Sequence, residues 1–336
     1  MTHSTLKTQN PNLILVIGGA GYIGSHIVAD LLAEGHDITV FDNLSTGFKE
    51  NIPRGVNFYH GDILNKGDLK GVFQQPFDCV MHFAALKAAG DSMLNPSKYA
   101  EHNISGSINI LDAMLAANVK NIIFSSSAAV YGAPEYLPVD EKHPTHPENF
   151  YGYTKLAIED ILNWYAKLKN INFAALRYFN AAGYDALGRV SQLERNPANL
   201  LPIVMEIASG MRKKMQIFGD DYDTHDGTGV RDYIHVNDLA TAHIKAMNFI
   251  MENNQSLTVN LATGEGFSVL DVIKAVEKIT GQKINYEIVA RRLGDPAELI
   301  AQALRADDIL KWKAKHSSLE NILETMWRVY RIHRQN

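Results

Sequence analysis

Apolar and polar positions in the first half of the chain follow two alternating rhythms. Leu13-Ile14-Leu15-Val16-Ile17 is a continuous apolar, β-branched run ending in glycine, the pattern of a strand buried on both faces. Asp37-Ile38-Thr39-Val40-Phe41, Cys79-Val80-Met81-His82-Phe83 and Ile122-Ile123-Phe124 repeat it, and Asn57-Phe58-Tyr59 is a shorter version. Between these runs apolar residues recur at helical spacing, as in Ser25 to Glu34 and Ile108 to Ala117. Strand, helix and strand in succession predict right-handed crossovers and an α/β fold built on a doubly wound parallel (Rossmann) sheet.

Tyr151 to Lys169 reads as one helix with Leu156, Ile158, Ile161, Leu162 and Tyr165 on its apolar stripe, and Phe173-Ala174-Ala175-Leu176 as the strand after it. The character changes beyond Asn180, where polar, glycine-rich loops appear at Tyr184 to Asn199 and Gly219 to Gly229. Val236 to Met251 and Thr258-Val259-Asn260-Leu261 predict a helix–strand pair that returns to the sheet. The predicted division is a Rossmann domain of residues 1–180 plus about 230–262, and a smaller mixed α/β lobe of 181–229 and 263–336. Pro134, Pro138, Pro144 and Pro147 mark a long loop directly before the Tyr151 helix, and loops of that length in compact domains are more often functional than idle.

Composition narrows the class without naming a chemistry. An apolar fraction of 46% and a charged fraction of 21% over 336 residues are those of an ordinary soluble protein. A net charge of −5 leaves no basic footprint, so neither nucleic acid nor a membrane surface is expected as a partner. The single cysteine, Cys79, sits in an apolar strand; it permits no internal disulfide, and no metal site is expected. Met1 to Asn12 is polar and no stretch approaches a membrane span, so a cytoplasmic location is expected.

Candidate chemistry begins at Gly18-Gly19-Ala20-Gly21-Tyr22-Ile23-Gly24, which follows the first strand and opens a helix. In that context Gly18, Gly21 and Gly24 permit a tight turn and close approach of a pyrophosphate to the helix N-terminus. Asp42 lies at the end of the second strand, where a carboxylate accepts both hydroxyls of an adenosine ribose and repels a 2′-phosphate. The expected cofactor is therefore NAD and not NADP.

Hydride transfer from an alcohol also needs a proton acceptor. Tyr151 and Lys155 stand one helical turn apart, a spacing at which the ammonium is expected to lower the phenol pKa from about 10 towards working pH. Tyr165 and Lys169 have the same spacing, but Tyr165 falls mid-helix on the apolar stripe, whereas Tyr151 begins its helix after a long loop. Ser125-Ser126-Ser127 directly follows a strand, and Ser127 is placed to bond the same substrate oxygen.

These segments together resemble the extended short-chain dehydrogenases/reductases, and among them the UDP-glucose (UDP-galactose) 4-epimerases. The likeness runs from about residue 12 to 315. It is carried by Tyr22-Ile23-Gly24-Ser25-His26, Phe41-Asp42-Asn43-Leu44, Gly61-Asp62-Ile63, His82-Phe83-Ala84-Ala85-Leu86-Lys87 and Phe124 to Gly132. Arg177-Tyr178-Phe179-Asn180, Gly229 to His235 and Arg291-Arg292-Leu293-Gly294-Asp295 complete it.

The resemblance implies that Tyr22, Ile23, Asp42, Asn43, Asp62, Ile63, Phe83, Ala84, Lys87, Asn103 and Phe179 line the NAD site with Tyr151 and Lys155. It implies that Asn180, Asn199, Leu200, Phe218, Arg231, Tyr233, Arg292 and Asp295 hold the UDP moiety beside Ser127. It also implies a homodimer formed through helices near 101–117 and 151–169. Two positions depart from the pattern: Leu299 stands where enterobacterial-type relatives carry a bulky tyrosine, and His102 where some carry asparagine. The sugar is thus left open between UDP-glucose/galactose, an N-acetylated UDP-hexosamine and UDP-glucuronate. Ala128 and Ala129 replace the Asp–Glu pair of related dehydratases, which disfavours elimination. A non-catalytic NAD(H) sensor on the same fold would need none of Ser127, Tyr151 and Lys155.

Overall fold

Alternate residues of the first strand enter two different cores in the computed structural model, which describes residues 11–195, 197–292 and 295–334. In β1 (Leu13–Ile17), Ile14 and Val16 join one apolar cluster and Leu15 and Ile17 another, all four fully buried. A strand covered on both faces has to be apolar throughout, which is why the run shows no alternation.

The chain continues through α1 (Tyr22–Ala33), β2 (Asp37–Asp42), β3 (Asn57–His60), α2 (Lys66–Val72) and β4 (Cys79–His82). Short helices α3 (Ala89–Leu94) and α4 (Pro96–Tyr99) and a π-helical turn at Ala100–Ser105 lead into α5 (Gly106–Ala116), β5 (Asn121–Ser125), α6 (Phe150–Lys169) and β6 (Asn172–Tyr178). Next come β7 (Asn180–Ala182), α7 (Leu200–Ala208), β8 (Met215–Phe218), β9 (Val230–Arg231), β10 (Tyr233–His235), α8 (Val236–Asn253) and β11 (Leu257–Leu261). The last elements are β12 (Phe267–Ser268), α9 (Val269–Thr280), β13 (Tyr286–Val289), β14 (Glu298–Leu299), α10 (Leu304–Leu310) and α11 (Leu319–Tyr330).

Seven strands form one parallel sheet in the order β11-β6-β5-β4-β1-β2-β3. Residues of α1 and α8, among them Ile27, Leu31, Leu239 and Ile244, cover one face. Leu69 of α2, Ile110 and Met114 of α5, and Ile158 and Leu162 of α6 cover the other. This is the doubly wound fold that the apolar pattern predicts. From β1 the chain winds outward to β2 and β3, then returns to β4 on the opposite side, so a crevice opens at the carboxyl ends of β1 and β4.

Beside the sheet a third core gathers Leu201, Val204 and Met205 of α7, Val272 and Ile273 of α9, and Leu323 and Met326 of α11. Asp238 in the first turn of α8 fastens the chain entering α11, accepting from the Lys315 N–H (2.9 Å), the His316 N–H (2.8 Å) and the Ser317 hydroxyl (2.6 Å). This lobe holds more regular structure than the sequence reading predicts. Its strands β9, β12 and β14 are two residues long, too short for a period of two to register. The predicted helix Ser25 to Glu34 starts earlier, at Tyr22, because Gly21 caps it, and β2 runs on to include Asp42. Among the described residues no helix is long and apolar enough to cross a membrane.

Candidate active site

The turn after β1 is shaped by what cannot fit there. Gly18, at φ +83°, donates its N–H to the Phe41 carbonyl at 2.8 Å. A Cβ at Gly18 would lie 2.6 Å from the Ala84 nitrogen, and one at Gly24 would lie 2.3 Å from the Gly18 oxygen. Glycine supplies both the left-handed backbone and the missing volume. Gly21 is the N-cap of α1 and brings no side chain to its first N–H groups. Those donors, with the positive end of the helix dipole, make a cradle that fits a pyrophosphate.

Three pairs of the predicted dinucleotide residues, Asp42–Asn43, Asp62–Ile63 and Phe83–Ala84, lie at or just beyond the carboxyl ends of β2, β3 and β4. Asp42, at 9% exposure, accepts from the N–H groups of Ala20 (3.0 Å) and Leu44 (2.8 Å). Burial raises its pKa and these two donors pull it back. Asn43 donates to Asp62 at 2.8 Å, and Asp62 accepts from the Leu64 N–H at 2.9 Å, which leaves Ile63 buried between them and α5. Phe83 and Ala84 donate their N–H groups to the Ile17 carbonyl at 2.8 and 3.2 Å. Lys87 is exposed and paired with Glu194. The Tyr22 hydroxyl donates to the Gly183 carbonyl, while Ile23 packs against the α1–α8 core. Both amide protons of Asn103 are engaged, by the Leu86 carbonyl (3.0 Å) and Thr154 Oγ1 (2.9 Å), so Asn103 clamps the segment leading to Lys87 onto α6.

Tyr151 and Lys155 lie on the first two turns of α6, whose N-cap Asn149 accepts from the Gly152 N–H. The Tyr151 N–H is held by Ser92 Oγ at 3.0 Å. Burial raises the phenol pKa, and the Ser127 hydroxyl against it pulls the other way. Ser127 caps the short 3-10 turn Ala128–Val130, its oxygen accepting from the Ala129 N–H at 3.2 Å. Lys155 is 3% exposed and donates to the Ser125 carbonyl at 2.7 Å, with its Nζ 5.8 Å from the centre of the Tyr151 ring. Burial pulls its pKa down to about 7 against the opposing pull of Glu159. The lowering of the phenol pKa expected from the ammonium is thus not what the structure gives: burial raises the phenol pKa, and the group that pulls it down is the Ser127 hydroxyl. Tyr165, by contrast, hydrogen-bonds Asp112 of α5 at 3.3 Å, roughly 20 Å further along α6.

The residues assigned to the nucleotide sugar meet this turn through one small cluster. Leu299 and Phe179 pack with Ala128, Val130 and Tyr131, directly after Ser127. Leu299 also pairs in register with Arg231, whose guanidinium contacts Asp295 at 2.6 Å. Arg292 lies over the Phe218 ring at 3.7 Å. Asn180 donates to the Asp232 carbonyl at 2.9 Å and pairs in register with the buried Tyr233. Asn199 is the exposed N-cap of α7 and Leu200 its half-buried first residue. Leu293 and Gly294 of the last motif lie outside the described residues.

The sequence reading gives no role to Glu159, nor to Arg177 beyond its place in a motif, yet the two form a buried forked ion pair beside the serine turn. A signal exists: Glu159 follows Lys155 by four residues, a carboxylate on the buried face of α6. Ser92 leaves no such signal, since only the fold brings it to the Tyr151 amide.

A family model described as the NAD dependent epimerase/dehydratase family matches residues 14–262. The UDP-glucose 4-epimerase of Halalkalibacterium halodurans is 46% identical over 321 residues, covering 95% of this chain and 96% of that protein. The solved structure of UDP-glucose 4-epimerase from Brucella ovis in complex with NAD superposes with a TM-score of 0.92 at 39% identity, covering 95% of this chain and 98% of that one. That of UDP-glucose 4-epimerase from Bifidobacterium longum, in complex with NAD⁺ and UDP, gives 0.89 at 40% identity, covering 94% and 97%.

Gly18→Ala is expected to reduce dinucleotide binding at least about tenfold, since neither the backbone angle nor the Ala84 contact accommodates a methyl group. Nucleotide released on denaturing equal amounts of parent and variant reads this directly; equal release would show that the turn is not the binding element.

Proposed function

The chain belongs to the NAD-dependent epimerase/dehydratase family, and from that premise we propose that it interconverts UDP-galactose and UDP-glucose by inversion at C4 through a 4-keto intermediate. The observation that carries the reading is the convergence of Tyr151, Lys155 and Ser127 at the sheet's carboxyl edge, beside a glycine cradle that a Cβ would fill. Residues 1–180 and about 230–262 serve the cofactor in this reading, and 181–229 and 263–336 the nucleotide sugar. NAD bound at the cradle supplies the hydride acceptor and donor for C4. Asp42 favours it over NADP by repelling a 2′-phosphate.

Tyr151, as phenolate, takes the proton of the sugar 4-hydroxyl, and Ser127 bonds the same oxygen. Lys155 holds the phenolate by charge, because burial alone drives both groups to their neutral forms. Arg231 and Arg292 grip the diphosphate by forked donation, so the UDP stays fixed while the ketose turns its other face to the cleft. Tyr151 then returns the proton. Ala128 and Ala129 offer no acid or base for the water loss of a dehydratase.

Tyr151→Phe is expected to cut turnover about a hundredfold or more while leaving NAD bound, and Tyr165→Phe to change it little. Conversion of UDP-galactose to UDP-glucose without added oxidant, followed for both variants, checks this; the reverse ranking would sink the assignment.

Residue 299 sets tolerance for a 2-acetamido group in this reading, and UDP-glucose and UDP-galactose are the preferred pair. Leu299 packs with Phe179 in the cluster that follows Ser127, so a larger side chain there takes room from the sugar. Overpacking of that kind costs about 1–3 kcal/mol, roughly a five- to hundredfold loss of rate. Leu299→Tyr is expected to suppress any activity on UDP-GlcNAc while sparing UDP-galactose, and Leu299→Ala to raise it. The ratio of kcat/KM for the two substrates across the three proteins is the measurement, and a constant ratio would remove residue 299 from the site.

Cytoplasmic homodimers complete the proposal. Trp164 and Leu168 on α6 are 60% and 67% exposed, and Ile108 on α5 is half-buried, apolar surface that a partner would cover. Light scattering at micromolar concentration is expected to give twice the 37.3 kDa chain mass, and a monomeric mass would refute the pairing.

A further inference from the structure

Lys155 is buried, and a buried ammonium is costly unless something nearby compensates it. It donates to the Ser125 carbonyl, and the next residue, Ser126, donates its hydroxyl to Glu159 Oε1 at 2.5 Å. Glu159 stands one turn beyond Lys155 on the same face of α6 and is 3% exposed. Arg177 grips its two oxygens, Nε to Oε1 at 3.0 Å and Nη2 to Oε2 at 2.5 Å. Nη1 of Arg177 donates to the Tyr131 hydroxyl at 3.0 Å, which donates to Asn260 Oδ1 at 2.6 Å. The serine turn is thus clamped from beneath by a carboxylate of the helix that carries Tyr151.

We propose that Glu159, gripped by Arg177, is a positioning residue for the Tyr151–Lys155 pair: it docks the Ser125–Ser127 turn on α6 and keeps a counter-charge one helical turn from the ammonium. The inference rests on the epimerase reading for the use made of Lys155. Besides Tyr151 and Glu159 on α6, Lys155 is faced by the Phe124 ring of β5, with its centre 4.9 Å away, and by His82 of β4. Burial, and then Lys155, hold His82 neutral with its pKa down to about 3. On β6, Arg177 is paired with Glu159, and Tyr178 shares a hydroxyl contact with Ser125, whose carbonyl holds Lys155. Of these, the Glu159 carboxylate is the charge that acts on Lys155, opposing the fall that burial causes. Lysine loses its charge as pH rises through its pKa, so removing the carboxylate moves that loss to lower pH.

The test is an NMR titration of ¹³C-lysine-labelled protein with NAD bound, the Lys155 resonance being identified by its loss in Lys155→Met. Glu159→Gln keeps an acceptor for Ser126 and drops the charge. It is expected to lower the Lys155 pKa by about one unit, and to bring the alkaline limb of kcat down with it while KM and bound NAD stay unchanged. Glu159→Asp, which keeps the charge, is expected to restore most of that shift. An unmoved Lys155 in folded Glu159→Gln overturns the proposal and leaves the ion pair a purely structural one. Should that variant fail to fold, Glu159→Gln with Arg177→Met removes both members of the ion pair, so that no guanidinium is left buried without its carboxylate, and carries the same reading. The titration needs no turnover, so a shift in a parent protein that does not epimerise would count against the epimerase reading while supporting this one.

Discussion

Gly18 packs its backbone against Phe83 and Ala84 so closely that a methyl group would overlap the Ala84 nitrogen, and both neighbours hang from the Ile17 carbonyl. That contact locks the ends of β1 and β4 together at the point where the winding of the sheet reverses. The amino terminus of α1, capped by Gly21 without a side-chain hydrogen bond, is held there with it. A larger residue at position 18 would push the helix off the strand end, and the anion cradle, the Asp42 edge and the crevice would lose their common origin.

Dryness is the second constraint, and it acts on two groups in opposite senses. Burial raises the Tyr151 pKa and lowers that of Lys155, so each alone favours its neutral form. A tyrosinate–ammonium pair is sustained in such a place only through mutual attraction and through fixed partners. The Ser125 carbonyl, the Ser127 hydroxyl and the Glu159 carboxylate are those partners, and none of them is free to turn away. Titration there belongs to the pair as a whole.

The loop from Tyr184 to Arg195 is fastened to α1 and to the segment between β2 and β3. Arg189 bridges Asp185 and Asp30 of α1, the N–H groups of Ser191 and Gln192 share the Asn51 oxygen, and the Arg195 guanidinium sits 4.3 Å over the Phe48 ring. With Glu194 on Lys87, four successive stretches of one irregular segment engage the Rossmann side of the crevice. An irregular loop suits this task, because its polar atoms bond groups that no periodic element presents at the right spacing.

The parallel sheet, its helices and the glycine turn were legible in the sequence because each depends on local rules. A strand such as Leu13–Ile17, covered on both sides, has to be apolar at every position, and a turn at positive φ under a close contact has to be glycine. The places of Tyr151 and Tyr165 on α6 were legible likewise, one at the mouth of a loop and the other in the middle of the stripe. Tertiary structure alone decided what surrounds these groups. That Ser92 holds the Tyr151 amide, that Asn103 spends its amide on Leu86 and Thr154, and that Arg177 of β6 reaches Glu159 of α6 are contacts between segments separated in sequence. The sign of the net shift on the Tyr151 phenol was hidden for the same reason. A spacing of four residues reports that a lysine is near, whereas the burial that sets the direction of the shift is a property of the whole fold.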